Sequence, residues 1–92
     1  MQVKKEWSEM HQQWCIQLHD CTKEQAETVR AIVLNNWTTD PDYWLAKNCG
    51  AFLQGYVVED NHSWVLIEFW KNDAGAIQKF IDRVNEALRE LG

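Results

Sequence analysis

The sequence predicts a single α+β domain over residues 1–92. Three observations carry that prediction. Residues 13–19 alternate between apolar and polar, the period of a half-buried strand. Two runs rich in β-branched and aromatic residues, 51–59 and 63–70, flank the turn Glu59-Asp60-Asn61-His62 and read as a hairpin. Two further stretches, 23–37 and 73–91, carry apolar residues at helical spacing.

Taken in chain order, residues 2–11 read as a helix with Trp7 and Met10 three apart on one face. Residues 13–19 form the first strand. Trp14, Ile16 and Leu18 point one way, and Gln13, Cys15, Gln17 and His19 the other. Continuing the first helix through Trp14 and Leu18 instead leaves Ile16 on the wet face, which favours the strand. Thr22-Lys23-Glu24-Gln25 fits a capping box: the Thr hydroxyl accepts from the Gln25 amide and the Gln25 side chain reaches back. The helix that follows presents Ala26, Val29, Val33 and Trp37 as its stripe, with Ile32 beside it. Asp40-Pro41-Asp42 starts a short helix over 41–47, with Asp40 as N-cap, and Asn48 to Gly50 stops it. After the hairpin, Asp73 caps a long helix reaching about residue 91 along Ile77, Phe80, Ile81, Val84, Leu88 and Leu91.

The β-α-β-β-α core implies a single-layer, three-stranded sheet in the order 1-3-2, with both long helices on one face. Short N-terminal and middle helices complete it. This topology resembles the ferredoxin-like plait without its last strand. The resemblance is one of topology and implies no function, because many unrelated activities share such a plait.

Composition narrows the functional classes. The chain is 46% apolar and 25% charged, with one Pro and four Gly, which is globular rather than disordered or collagenous. No apolar run approaches the roughly 20 residues of a membrane span. The start Met1-Gln2-Val3-Lys4-Lys5-Glu6 leads into no apolar signal segment. The expected location is therefore cytoplasmic, where Cys15, Cys21 and Cys49 are expected to be reduced, buried thiols. The net charge of −5 disfavours direct nucleic-acid binding, and the basic residues are scattered. Anionic membrane surfaces are disfavoured too, for want of a basic helical face.

The six Trp make up the unusual part of the composition. A tight turn at Asp60-Asn61 pairs Val58 with Ser63, Tyr56 with Val65, Gln54 with Ile67 and Phe52 with Phe69 on one face of the hairpin. It pairs Val57 with Trp64, Gly55 with Leu66, Leu53 with Glu68 and Ala51 with Trp70 on the other. The first face suits the helices. The second carries Leu53, Val57, Trp64, Leu66 and Trp70, with Glu68 as its one charge. An outer face is normally polar. At about 60–150 Å² per side chain the patch is on the order of 500 Å², the size of a functional patch. Three covers are open: the chain's own N-terminal or short helix (Trp7, Met10; Tyr43, Trp44, Leu45), a second copy, or a different protein. Two patches hide about 1,000 Å², roughly 25 kcal/mol gross at about 25 cal/mol per Å². Association costs roughly 4–15 kcal/mol. Strand 13–19, as an unpaired edge, offers a second route to assembly.

Chemical constellations are sparse. His11, Cys15 and His19 share a face only if 6–20 is helical, and no C-x-x-C or H-x₃-H pair brings two zinc ligands together. No metal and no cofactor is expected. Cys49 with His62 is the one Cys–His pair near a bend, and Cys21 opens a helix. Asp40 and Asp42 are accounted for by capping and by the helix dipole. No G-x-G-x-x-G, Walker A, G-x-S-x-G or H-E-x-x-H motif occurs.

The expectation is a non-enzymatic protein–protein interaction module that self-associates, as a homodimer, or docks a protein partner. Trp64, Trp70, Leu66, Leu53 and Val57 are its contact residues, since Trp is enriched at binding hot spots. Small acidic domains without catalytic motifs include phage anti-defence and anti-CRISPR inhibitors, an analogy of composition. The rival is a small-molecule-binding or enzymatic plait with a pocket near Cys49, Tyr43 and His62. A third reading, a single-stranded nucleic-acid binder stacking bases on Trp64 and Trp70, lacks phosphate partners: residues 51–70 hold no Lys or Arg.

Overall fold

A computed structural model describes residues 1–92. The elements are β1 (Glu6–Ser8), β2 (Gln13–Cys21), α1 (Lys23–Val33), α2 (Pro41–Cys49), β3 (Ala51–Val57), β4 (Ser63–Phe69) and α3 (Ala74–Glu90). They build one four-stranded antiparallel sheet in the order β1-β2-β4-β3. The expected three-strand order survives inside it as β2-β4-β3. β2 and β3 both run antiparallel to the strand between them, so they are parallel to each other.

The N-terminal helix expected over 2–11 does not exist. Glu6–Ser8 is instead a strand, pairing Glu6 with Cys15, Trp7 with Trp14 and Ser8 with Gln13. The three-residue spacing of Trp7 and Met10 is a coincidence of a hairpin: Met10 sits at the turn, 86% exposed. Gln12 closes that turn at φ 54, its side-chain amide donating to the Glu9 carbonyl. Trp7 meets Trp14 edge to face at 4.9 Å. β2 is therefore not an open edge along Gln13–Cys15. Upstream, Val3 is buried and tied to α3. Its N–H donates to Asn85 Oδ1 at 2.8 Å, and Asn85 Nδ2 donates to its carbonyl at 3.1 Å.

The helix starts follow the local chemistry. Thr22 and Gln25 form the full capping box. Asp40 accepts from the Asp42 amide and Asp73 from the Ala76 amide. α1 stops at Val33, four residues short of expectation, because Asn35 diverts the chain. Its side chain accepts from the Trp37 amide and donates to Asp40. Trp37 is consequently 75% exposed rather than part of the helix stripe. α2 ends on Gly50 in the left-handed region at φ 64, with the Gly50 N–H donating to the Ala46 and Lys47 carbonyls.

All three helices contribute to a single core. Ile16, Leu18, Val65, Ile67 and Phe69 of the sheet's inner face meet Ala26, Val29 and Ile32 of α1, Ala46 and Cys49 of α2, and Ile77, Phe80, Val84 and Leu88 of α3. Phe69 and Phe80 pack edge to face at 5.6 Å. Arg83 of α3 binds Asp42 of α2, with Nε to Oδ1 at 2.8 Å, so Asp42 is an interhelix partner as well as a first-turn acid. Its carboxylate, accepting that hydrogen bond, holds the guanidinium pKa above its ordinary value. No helix is long and apolar enough to cross a membrane.

Candidate interaction face

The opposite side of the sheet carries no helix. Along β4, Trp64, Leu66 and Glu68 point outward, and Trp70 continues the alternation, its N–H donating to the Gly50 carbonyl. β2 contributes Cys15 and Gln17, opposite Glu68 and Leu66. β3 contributes Val57 and Gly55, opposite Trp64 and Leu66. Up to that point the register is the one expected. It then shifts between Leu53 and Gly55, where Gln54 is an extra residue.

That bulge turns over the first half of β3. Leu53 pairs with Ile67 and packs on the helix side against the core. Phe52 pairs with Glu68 and takes the outer position. Of the five expected contact residues, Val57, Trp64, Leu66 and Trp70 share the outer face. Leu53 does not, and Phe52 replaces it. The alternation of a lone strand could not show this, because one inserted residue exchanges its two faces. Only the small Gly55 beside the bulge hints at it.

Both outer-face indoles rest on glycines. Trp64 covers Gly55, where an added Cβ would stand 2.3 Å from Cη2. Trp70 covers Gly50, where it would stand 2.6 Å from Nε1. The Trp64 Nε1–H donates to Gln17 Oε1 at 3.3 Å, which bridges β4 to β2. Trp70 is 62% exposed and Val57 43%, while Trp64, Leu66 and Phe52 are half-buried by one another and the sheet.

Glu68 does not stand as a free charge. It is 1% exposed. His11, from the β1–β2 turn, lays its imidazole over it, and Nδ1 contacts Oε2. The sequence offers His11 only as a ligand beside Cys15 and His19, and with residues 2–11 read as a helix its contact with Glu68 is not visible there. Cys15 lies buried opposite Glu68; burial, then the charges of Glu6 and Glu68, push its thiol pKa up.

The expected internal covers are not there. Trp7 lies in β1, beside Trp14. Tyr43, Trp44 and Leu45 belong to α2, which packs into the core on the other side. Beyond the Trp70 end of the sheet, on the helix side to which Trp14 and Phe69 point, a cleft of about 100 Å³ opens among Trp7, Trp14, Phe69 and Trp70. Lys5 Nζ lies 4.3 Å from the Trp14 ring and Lys71 Nζ 5.1 Å from the Trp70 ring. At the upper end His19 tilts over Trp64 at 6.5 Å, and His62 Nδ1 lies 3.4 Å from Asp20.

The rival pocket is not assembled. Cys49 is buried at the end of α2, its thiol turned to the Leu45 and Ala46 carbonyls, and desolvation pushes its pKa up to about 11. His62 sits in the β3–β4 turn, the length of β3 away, on the order of 20 Å at about 3.3 Å per residue. Tyr43 packs edge to face on Trp44. None of the three lines a cavity with another. Cys21 is likewise buried, its thiol donating to the Ser63 carbonyl and its pKa raised by desolvation. No three His, Cys, Asp or Glu side chains converge to hold a metal ion.

The fold and this face together define the chain as an α+β domain with an apolar, helix-free sheet surface. Comparisons with protein-family models, with curated proteins and with solved structures find no match.

Proposed function

We propose that the chain is a non-enzymatic protein-interaction module, a small regulatory or inhibitory protein that works by contact through its outer sheet face. One observation carries the reading: Trp64, Leu66, Val57, Phe52 and Trp70 form an apolar surface that none of the chain's own helices covers. Tryptophan anchors of this kind dominate binding energies. The chemistry that an enzyme would need lends no support to the alternative. The thiols are buried with raised pKa values, and Cys49, Tyr43 and His62 lie apart.

The test pairs capture with reconstitution. The wild-type protein, Trp64→Asp and Trp70→Asp are used as bait in an extract of the producing cell. Any captured protein is then purified and titrated by calorimetry. A partner that binds the wild type and loses at least about thirtyfold in affinity to either variant supports the reading; that loss is roughly 2 kcal/mol, the threshold of a hot spot. A partner indifferent to both variants and sensitive to changes on the helix side contradicts it.

A further inference from the structure

We propose that the occupant of the outer face is a second copy of this chain. The two sheets stack face to face about a two-fold axis that runs across the strands. The inference rests on the reading of that face as a protein-contact surface and names its partner.

The spacing of the anchors fits this axis. Trp64 in β4 and Trp70 just past its end lie six positions apart, on the order of 20 Å. A two-fold crossing β4 midway between them brings the Trp64 of each copy to the Trp70 of the other. It also brings Leu66 of each copy over the His11–Glu68 pair of the other. Because Glu68 is already roofed by His11, no unpaired carboxylate enters the contact.

Charge decides the direction. The end carrying Trp64 also carries the exposed acids Asp20, Glu59 and Asp60. The end carrying Trp70 carries Lys71, held against the indole with its Nζ on the Lys47 carbonyl, while the Lys47 ammonium itself lies on the α2 side against Tyr43 and Trp44. A two-fold along the strands would set acids against acids and lysines against lysines. A two-fold across them sets each acidic end on a basic one, twice per dimer. A self-complementary face of this kind is matched by its own copy without any other partner's chemistry being invoked.

A small contact leaves a narrow margin over the cost of association. With Leu53 turned to the helix side and Trp64, Leu66 and Phe52 already half-buried, the open apolar area falls below about 500 Å² on each copy, so the stacked pair lies at the lower limit of a specific interface, about 1,000 Å² in all. The expected dimer is accordingly weak, with a mass that depends on concentration.

The experiment is light scattering and sedimentation over about 5 μM to 1 mM with six samples: wild type, Glu59→Lys, Lys71→Glu, an equal mixture of those two variants, an equal mixture of Lys71→Glu with wild type, and Trp64→Asp. Neither substituted side chain is in the core. The wild type is expected to dimerise. Each variant alone is expected to dissociate about three- to tenfold more readily, since it sets like charges together at both ends. The mixture is expected to recover, because every Lys at 59 then meets an acid at 71. A monomer at every concentration overturns the inference, and the capture experiment still judges the contact surface by itself. A dimer that Lys71→Glu strengthens when mixed with wild type overturns the axis proposed here, since it would mean that Lys71 faces Lys71. A dimer unmoved by Trp64→Asp, with all charge variants neutral, overturns the use of this face.

Discussion

The indole of Trp64 reaches from β4 across to Gly55 of β3, so closely that no side chain fits between them. The glycine is the seat of the indole, and the outer face depends on it. Gly55→Ala is therefore expected to displace Trp64 and to cost about 1–3 kcal/mol, the range for overpacking a fitted site. In a Trp64→Ala background the same change should be close to neutral. Denaturant titration of the four proteins of this cycle measures the coupling.

The His11–Glu68 pair makes a second prediction. The Glu68 side chain has no hydrogen-bond partner other than His11. His11→Ala leaves a carboxylate buried in the middle of the sheet, and a loss of about 3 kcal/mol is expected, trimmed by the water that His11's partly exposed position admits. Adding Glu68→Gln should return most of it. Equal unfolding midpoints for the wild type and His11→Ala would show that the roof carries no stability.

Cys49 sets an alkaline limit. Its folded pKa of about 11 stands above the ordinary value of 9.0, so the unfolded chain gives up the proton first. The contribution is complete below pH 9 and is lost as the pH rises toward 11, with unfolding free energy falling by roughly 2–3 kcal/mol from this group. Cys15 and Cys21, also raised, add to the same slope. Cys49→Ala should flatten the fall, as seen by urea titrations at stepped pH.

Asn85 anchors the N-terminal segment to α3 through both polar groups of the Val3 backbone. Asn85→Ala is expected to cost about 1–3 kcal/mol. Amide exchange at Val3 to Trp7 should quicken far more than exchange within β4. Uniform acceleration along the chain would place the loss in the core instead.

Much of this architecture is written locally. Thr22 with Gln25, Asp40 with Pro41, and Asp73 each satisfy helix N–H groups within three residues of themselves, so the sequence announces them. Gly50 is equally plain, because the chain needs a left-handed residue there. What stayed hidden depends on distant partners. Three residues of β1 are too few to show a period, and only pairing with Gln13–Cys15 makes them a strand. The bulge at Gln54 is set by β4, and with it the exchange of Leu53 for Phe52. His11 roofs a residue 57 positions away. The candidate face was legible in Val57, Trp64, Leu66 and Trp70, whose positions follow from simple alternation.

The six indole N–H groups offer the most direct test of that face, since each gives its own proton–nitrogen signal. Spectra recorded from about 20 μM to 1 mM should show the Trp64 and Trp70 signals moving with concentration. Trp37 and Trp44, on the α1–α2 side, should stay fixed. Movement of Trp37 and Trp44 with Trp64 and Trp70 unmoved would contradict the account.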